Sequence, residues 1–118
     1  MKLIERLEAA TEGSRELDYL IHCALGWIDH DQGGWTRGDE TAGEGWPLYT
    51  SSLDAALPGE TIRMVEWADA YDADGNVTGK HWTAFHFCDN GDVYAGSHPT
   101  SEALARRIAI LRAKEREL

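Results

Sequence analysis

Tryptophan and arginine are the residue types in this sequence best suited to binding a charged aromatic molecule. Indole rings offer flat surfaces on which a planar ligand stacks, and a guanidinium group grips phosphate through two parallel N–H groups. Five of the 118 residues are tryptophan, a high number for this length. The sequence therefore predicts a site for a nucleotide-like molecule. The candidate residues are Trp27, Trp35, Trp46, Trp67, Arg37, Arg63, Arg106 and Arg107.

A histidine and a cysteine in one predicted strand raise two other kinds of chemistry. His86 and Cys88 are two positions apart, so their side chains point to the same face of the strand. A Cys–His pair can form the nucleophile of a small hydrolase, and both residue types bind zinc. No nucleophile motif flanks Cys88, and the spacing is not typical of zinc sites. We therefore predict no catalytic residue and no bound metal, and keep a small Cys/His hydrolase as an alternative.

Two acidic stretches resemble parts of known sites. Asp29-His30-Asp31 places an imidazole between carboxylates, which favours its charged form and suits acid–base catalysis. Asp72-Ala73-Asp74-Gly75-Asn76 resembles the start of a calcium loop, but Thr83 stands where that loop needs a bidentate glutamate. We expect an exposed polar loop at the first stretch and an ordinary turn at the second.

The chain is strongly acidic, with a formal net charge of -10 from 21 acidic and 11 basic residues. Phosphate contacts supply most of the affinity for nucleic acid, so this charge argues against a direct nucleic-acid partner. It also favours an alternative function, an acidic inhibitor that mimics DNA toward a DNA-binding protein. We expect a cytoplasmic protein with no membrane partner, because the N-terminus is charged and no apolar run approaches the roughly 20 residues that span a bilayer.

Helical spacing of apolar residues predicts two helices at the start of the chain, one over residues 2–10 and one that covers Leu17–Leu25. Ser14 is a suitable N-cap for the second helix, and Gly26 suits the position just past its end. Residues 27–49 are rich in glycine and tryptophan. They predict a long loop that is functional or mobile, with room for one short strand around Trp35–Arg37.

After this loop, Ser51 or Ser52 is expected to cap a short helical turn through Leu53–Leu57. Alternating apolar residues then predict strands over Ile62–Ala70 and Thr78–Cys88, followed by a third strand from Val93. The last helix begins near Thr100. It carries Leu104, Ile108 and Leu111 on one stripe.

The turn Asn90-Gly91 sets the register of the last two strands. Both residue types accept positive φ, so a two-residue type I′ turn is predicted. This turn would pair Phe87 with Tyr94 and His86 with Ala95. Both faces of the sheet are then apolar. We expect the last helix to cover one face, and the Leu17–Leu25 helix or another copy of the protein to cover the other.

Three stretches resemble small bacteriophage and prophage proteins that contain the phage ABA sandwich domain. They are Pro47-Leu48-Tyr49-Thr50-Ser51-Ser52-Leu53-Asp54-Ala55-Ala56-Leu57, the strand-to-helix run from Trp82 to Ala113, and the opening Leu3–Thr11. The resemblance implies a sheet layer between helix layers and a phage or prophage source. It implies no activity, catalytic residue or cofactor. The last helix is richer in arginine than the family pattern.

These patterns together predict a single α+β domain over residues 1–118. Its antiparallel sheet of three or four strands carries helices from both ends of the chain in a sandwich-like arrangement. The predicted function is that of a non-catalytic, phage-encoded accessory binding protein without a cofactor. As an anti-defence protein it would sequester a nucleotide-like signal or a host protein, the signal being held between the protomers of a homo-oligomer.

Overall fold

The computed structural model describes residues 2–30, 34–43, 45–57 and 59–117, and it confirms the predicted α+β fold. Two antiparallel three-stranded sheets are present, with strand orders β1-β2-β3 and β4-β5-β6. The elements in chain order are α1 (Leu3–Ala9), α2 (Arg15–Ala24), β1 (Ile28–His30), β2 (Gly34–Arg37), β3 (Glu40–Ala42), β4 (Ile62–Tyr71), β5 (Val77–Phe87), β6 (Val93–His98) and α3 (Glu102–Glu117).

Helix α3 is buried around most of its circumference and forms the middle layer of the fold. Its small residues Ala105 and Ala109 pack with Ala84 of β5. Its larger residues Leu104 and Ile108 pack instead in what we call the helical cluster, together with residues of α1, α2 and the segment before β4. The members of the helical cluster are Ile4, Leu7, Leu17, Ile21, Tyr49, Leu57, Leu104, Ile108, Ile110 and Leu111.

Helix α2 lies in this cluster, with α3 between it and the sheet of β4, β5 and β6. Ser14 caps α2 as predicted, since its hydroxyl oxygen accepts a hydrogen bond from Leu17 N at 3.1 Å. Gly26 follows the helix with φ +98°, a conformation that suits glycine. Because α2 belongs to the helical cluster, it is not the cover that we expected for the second face of the sheet. On that face, Met64 is 43% exposed and Val93 is 48% exposed.

The turn between β5 and β6 differs from the predicted type I′ turn. Gly91 has φ +94°, but Asn90 does not have the positive φ that a type I′ turn also requires. Gly91 N donates to Cys88 O at 3.1 Å, and Cys88 N donates to Asp92 O at 2.8 Å. These bonds define a three-residue loop, a type I turn that ends in a left-handed glycine.

The extra loop residue shifts the strand register by one position. His86 pairs with Tyr94 and Phe87 pairs with Val93, so the predicted Phe87–Tyr94 and His86–Ala95 pairs were wrong. Because side chains alternate along a strand, the shift places Tyr94 on the same face as His86. The predicted turn at Asp72–Asn76 is confirmed. The Asp72 carboxylate there accepts the backbone N–H groups of Asp74 and Asn76, both at 2.9 Å.

The described residues of the glycine-rich segment form three strands where the sequence indicated one. The predicted strand at Trp35–Arg37 is confirmed as β2. Its neighbours β1 and β3 are three residues long and fully exposed, so they carry no burial pattern that alternation could detect. The helical turn predicted for Leu53–Leu57 was wrong, because Leu53 and Asp54 lie in a turn and residues 55–57 have no regular secondary structure.

Arg107 of α3 ties the segment before β4 to the middle layer, an arrangement that we call the Arg107 clamp. The side chain is fully buried. Its terminal nitrogen Nη1 donates to both carboxylate oxygens of Glu60, at 3.1 and 2.9 Å. Nε donates to Tyr49 O at 2.8 Å, while Nη2 donates to Ser52 O at 2.7 Å and to Leu53 O at 3.1 Å. All the guanidinium N–H groups therefore have acceptors within the protein.

Burial opposes both charges of the Arg107–Glu60 pair. It raises the pKa of Glu60 and lowers the pKa of Arg107, while each partner acts in the opposite direction. The charged forms therefore depend on one another inside the protein. This position corrects the prediction that Arg107 binds a ligand phosphate, because its donors are already committed to main-chain carbonyls and to Glu60.

We expect Arg107→Met to lower the free energy of unfolding by about 3–5 kcal/mol, because Glu60 would be left as an uncompensated buried charge. The control is Arg106→Met at the preceding helix position. Arg106 makes a 3.4 Å ion pair with Glu102, both side chains are partly exposed, and its effect on the pKa of Glu60 is smaller than that of Arg107. Its loss should cost less than about 1 kcal/mol. Urea unfolding followed by circular dichroism measures both values, and equal losses would contradict a special role for Arg107.

Gly96 of β6 provides a second test of the layer packing. A Cβ at this position would overlap the Ala105 carbonyl oxygen and the Ala109 nitrogen of α3, whereas a Cβ at Gly43 would meet nothing within 4 Å. Main-chain atoms cannot move aside as a flexible side chain can. Gly96→Ala should therefore lower the melting temperature markedly, and Gly43→Ala should leave it nearly unchanged. Similar melting temperatures for both variants would show that α3 lies further from the sheet.

Candidate ligand site at the tryptophan cavity

Six ring-bearing side chains from α2, β2 and the adjoining segments form one aromatic cluster. Trp35 lies at its centre and is only 2% exposed. Its ring centroid is 4.6 Å from that of His22, 5.4 Å from Tyr19 and 5.8 Å from Trp46, each in an edge-to-face arrangement. Such geometry is favourable for aromatic pairs. The cluster consists of Tyr19, His22, Trp27, Trp35, Trp46 and Tyr49.

Local sequence explains how this cluster assembles. Tyr19 and His22 are three positions apart in α2, so they lie on one face of the helix. Trp35 is the buried position of β2, where it pairs with Asp29 on one side and with Ala42 on the other. The small sheet therefore presents Trp35 to the aromatic face of α2.

Trp46 is held on the first turn of α2 by Arg15. Arg15 Nη2 donates to Trp46 O at 2.6 Å, and Trp46 Nε1 donates to Arg15 O at 3.1 Å. The Arg15 guanidinium also lies over the indole, 4.9 Å from its centroid. Since both the main chain and the side chain of Trp46 are bonded to one residue, its ring has a fixed orientation.

A buried polar network fixes the neighbouring segment. One carboxylate oxygen of Asp18 accepts from Thr50 N at 2.7 Å and from the Thr50 hydroxyl at 2.6 Å. The other accepts from Arg15 at 2.9 Å. Asp18 and Thr50 are both fully buried. Gly13 permits the close approach, because a Cβ there would overlap the Thr50 carbonyl group.

A cavity of about 570 Å³ opens beside the aromatic cluster, and we call it the tryptophan cavity. The half-buried indoles of Trp27 and Trp46 line it together with the Arg37 guanidinium. Arg37 lies 4.7 Å from the Trp27 ring centroid, and its Nε donates to Glu40 at 2.8 Å. The full lining is His22, Trp27, Arg37, Ala42, Gly43, Gly45, Trp46, Pro47, Tyr49 and Ala56.

His22 and Tyr49 form the polar part of the cavity wall. The His22 ring is stacked on Trp27, with an interplanar angle of 4° and a centroid distance of 5.2 Å. Its Nδ1 lies 2.9 Å from the Tyr49 hydroxyl. Burial lowers the pKa of His22, and the nearby Arg37 lowers it further. The neutral imidazole is therefore the favoured form, and its tautomer sets whether Nδ1 or the Tyr49 hydroxyl is the donor.

The structure brings together some of the residues that the sequence grouped as one site. Trp27, Arg37 and Trp46 line the tryptophan cavity, and Trp35 packs against Trp46 in the aromatic cluster beside it. The other four lie elsewhere. Trp67 pairs with Trp82 at a centroid distance of 5.0 Å, Arg63 lies 5.7 Å from the Phe87 centroid, Arg106 pairs with Glu102 on α3, and Arg107 forms the Arg107 clamp.

Two wall residues, His22 and Tyr49, were missing from the sequence-based site. His22 falls three positions after Tyr19 on the buried face of a predicted helix, which the apolar spacing could have revealed. Tyr49 belonged to the stretch that carried the family resemblance. Its contact with His22 spans 27 positions, so no local pattern indicates it.

A second cavity, of about 670 Å³, contains His86 and Cys88. His86 Nδ1 accepts a hydrogen bond from Thr61 N at 3.0 Å, which places the proton of a neutral ring on Nε2. The basic nitrogen is thus used to hold the start of β4. This geometry does not favour His86 as the general base of a Cys–His hydrolase.

The remaining candidate motifs have structural partners. Tyr19 OH donates to the Asp29 carboxylate at 3.3 Å, and His30 Nε2 lies 2.7 Å from the Thr36 hydroxyl across the β1–β2 pair. Asp31 lies outside the described residues. Within the part of the chain that the structure describes, no three His, Cys, Asp or Glu side chains are placed to hold a metal ion.

The lowered pKa of His22 predicts a pH-dependent stability. The unfolded chain binds the proton more readily, since an exposed histidine titrates near pH 6.5. The stabilising contribution is therefore complete above about pH 6.5 and decreases as the pH falls toward the folded-state pKa.

Wild type should lose stability between pH 7.5 and 5.5 in urea unfolding followed by tryptophan fluorescence. His22→Gln should lose less, and the exposed-site control His30→Gln should behave as wild type. An identical loss in all three would refute this assignment.

Comparisons with known proteins leave the site to be interpreted from its geometry. No family model, curated protein or solved structure matches the chain. The resemblance to phage ABA sandwich proteins thus stays a prediction. In the described part of the chain, no helix combines the length and apolar character needed to cross a membrane.

Proposed function

We propose that this protein is a non-catalytic binding protein whose tryptophan cavity holds a nucleotide-like anion. The observation that carries the proposal is the convergence of Trp27, Trp46 and Arg37 on one cavity of about 570 Å³. Stacking of a base on an aromatic side chain contributes about 1–3 kcal/mol. A guanidinium group adds charge-assisted hydrogen bonds to an anionic group. The cavity therefore combines the two interactions that a planar anion requires.

The charges at the cavity indicate a ligand with few anionic groups. Arg37 is the one cationic side chain among the described lining residues. Its Nε bonds Glu40, so the terminal nitrogens Nη1 and Nη2 are the ones that can grip a ligand. A single guanidinium matches one phosphate better than a triphosphate. We infer a monophosphate-like ligand with one planar ring system.

The composition of the wall supports binding without catalysis. The described lining residues include no serine, cysteine, carboxylate or lysine that could act as a nucleophile. Nδ1 of His22 and the Tyr49 hydroxyl are hydrogen-bonded to each other. A wall of this composition suits retention of a ligand better than attack on one.

The biological part of the proposal follows the family resemblance. A phage or prophage accessory protein with such a cavity would sequester a nucleotide-like signal of the host, with a host protein as the other possible target. We include a homo-oligomeric assembly and a cytoplasmic location in this proposal. The DNA-mimic alternative is less well supported, because six carboxylates spread over the fold are already paired with arginine.

The test uses the four nucleoside 5′-monophosphates and their uncharged nucleosides, with binding followed by thermal shift and by quenching of tryptophan fluorescence. Arg37→Met should weaken binding of the monophosphate at least about tenfold, because it removes the charge-assisted bonds. Arg63→Met is the matched control, since Arg63 also lies over an aromatic ring but is not among the described residues that line the cavity. Trp46→Leu, which removes an indole from the cavity wall, is compared in the same way with the control Trp67→Leu, whose indole pairs with Trp82.

Two results would contradict the proposal. Equal weakening by Arg37→Met and Arg63→Met would place the site elsewhere on the protein. Absence of binding by every monophosphate at millimolar concentration would exclude the nucleotide-like ligand.

A further inference from the structure

We propose that an anionic ligand enters the tryptophan cavity together with a proton, which is taken up by His22. This inference rests on the proposed function, because it concerns the same cavity. It adds a regulatory property, since the affinity for the ligand would then depend on pH in the range where histidine titrates.

The position of His22 in the wall makes it responsive to a ligand. The side chain is 5% exposed, and it lines the cavity beside Trp27, on which it is stacked. A ligand stacked on the indoles would lie close to the imidazole. Any negative charge that the ligand brings would therefore act on His22 at short range, where electrostatic interactions are strongest.

The charged groups around His22 come from three elements. Arg37 of β2 is the cation whose field reaches the imidazole, and Glu40 of β3 pairs with Arg37 at 2.8 Å. Asp18 lies one turn earlier on α2, but its carboxylate is held by Thr50 and Arg15. The Tyr49 hydroxyl is the direct hydrogen-bonding partner. A bound anion would therefore act mainly by pairing with Arg37, which reduces the electrostatic effect of Arg37 on His22.

Neutralising Arg37 should favour the charged form of His22. In the empty cavity, burial and the Arg37 charge both disfavour the imidazolium. An anion that pairs with Arg37 cancels the second effect and adds attraction of its own. The Tyr49 hydroxyl can accept a hydrogen bond, so Nδ1–H has a partner after protonation. The occupied site therefore binds a proton more tightly than the empty one.

Linkage makes this coupling reciprocal. If a bound anion raises the pKa of His22, a proton on His22 must strengthen binding of the anion by the same free energy. Each unit of pKa difference corresponds to about a tenfold change in affinity. We expect the affinity for an anion to rise about tenfold between pH 7.5 and pH 5.5, and the affinity for an uncharged ring to remain the same or fall.

The test uses adenosine 5′-sulfate and adenosine. The sulfate ester keeps one negative charge from pH 5 to pH 8, so any proton taken up belongs to the protein. Isothermal titration calorimetry at pH 6.5 in two buffers of different ionisation enthalpy gives the number of protons bound. The sulfate ester should bind with uptake of a measurable fraction of a proton, and adenosine should bind without uptake.

Variants assign the proton to a residue. His22→Gln should abolish the uptake, and the exposed-site control His30→Gln should retain it. Should His22→Gln fail to fold, the imidazole Cε1–H resonance of His22 in the wild-type protein provides the same information, because its titration midpoint should move to higher pH when the sulfate ester is present.

The outcomes separate this inference from the proposed function. Binding of adenosine 5′-sulfate with no proton uptake, or with uptake that persists in His22→Gln, would overturn the proton coupling and leave the proposed cavity standing. Absence of binding by both probes from pH 5.5 to pH 7.5 would overturn the proposed site itself.

Discussion

The guanidinium group of Arg107 is the interaction on which the arrangement of this fold depends. It lies in the middle of α3, and its hydrogen bonds to Tyr49, Ser52 and Leu53 anchor a segment that has neither helix nor strand. The turns of this segment satisfy some of its carbonyl groups, such as that of Leu48, which accepts from Ser52 N at 2.9 Å. Buried carbonyls without partners are costly. The Arg107 clamp supplies the donors. The charge that comes with them is balanced by Glu60, which lies just before β4.

Tyr49 connects this clamp to the tryptophan cavity. Its carbonyl oxygen accepts from Arg107, its ring packs in the helical cluster, and its hydroxyl contacts His22. The next residue, Thr50, is bound by Asp18 of α2. Two adjacent residues thus join the middle helix, the N-terminal helices and the cavity wall. The geometry of the candidate site is therefore a property of the whole helical side of the protein and not only of the loop that carries the tryptophans.

Features that depend on local sequence were predicted correctly. Ser14 and Gly26 marked the ends of α2, and alternation of apolar residues predicted the strands of the β4-β5-β6 sheet. The predictions were wrong where the same short sequence is compatible with two structures. Asn90-Gly91 is compatible with both a two-residue and a three-residue turn, and only the hydrogen bonds of Cys88 distinguish them. Arg107 was predicted to bind a ligand because the sequence around it does not indicate which groups accept the hydrogen bonds of its guanidinium. Those acceptors lie 47 to 58 positions away in the chain. Four of the eight candidate residues, Arg107 among them, lie away from the tryptophan cavity.

Gly96 and Gly13 have a consequence for how sequences of this fold can vary. The main chain at Gly96 lies directly against the main chain of α3, and the main chain at Gly13 lies directly against that of Thr50. A contact between main chains has the same shape whatever side chains surround it. Related chains could therefore exchange many of their apolar residues during evolution and still keep the layer spacing, as long as these two columns of an alignment hold the one amino acid that lacks a β-carbon.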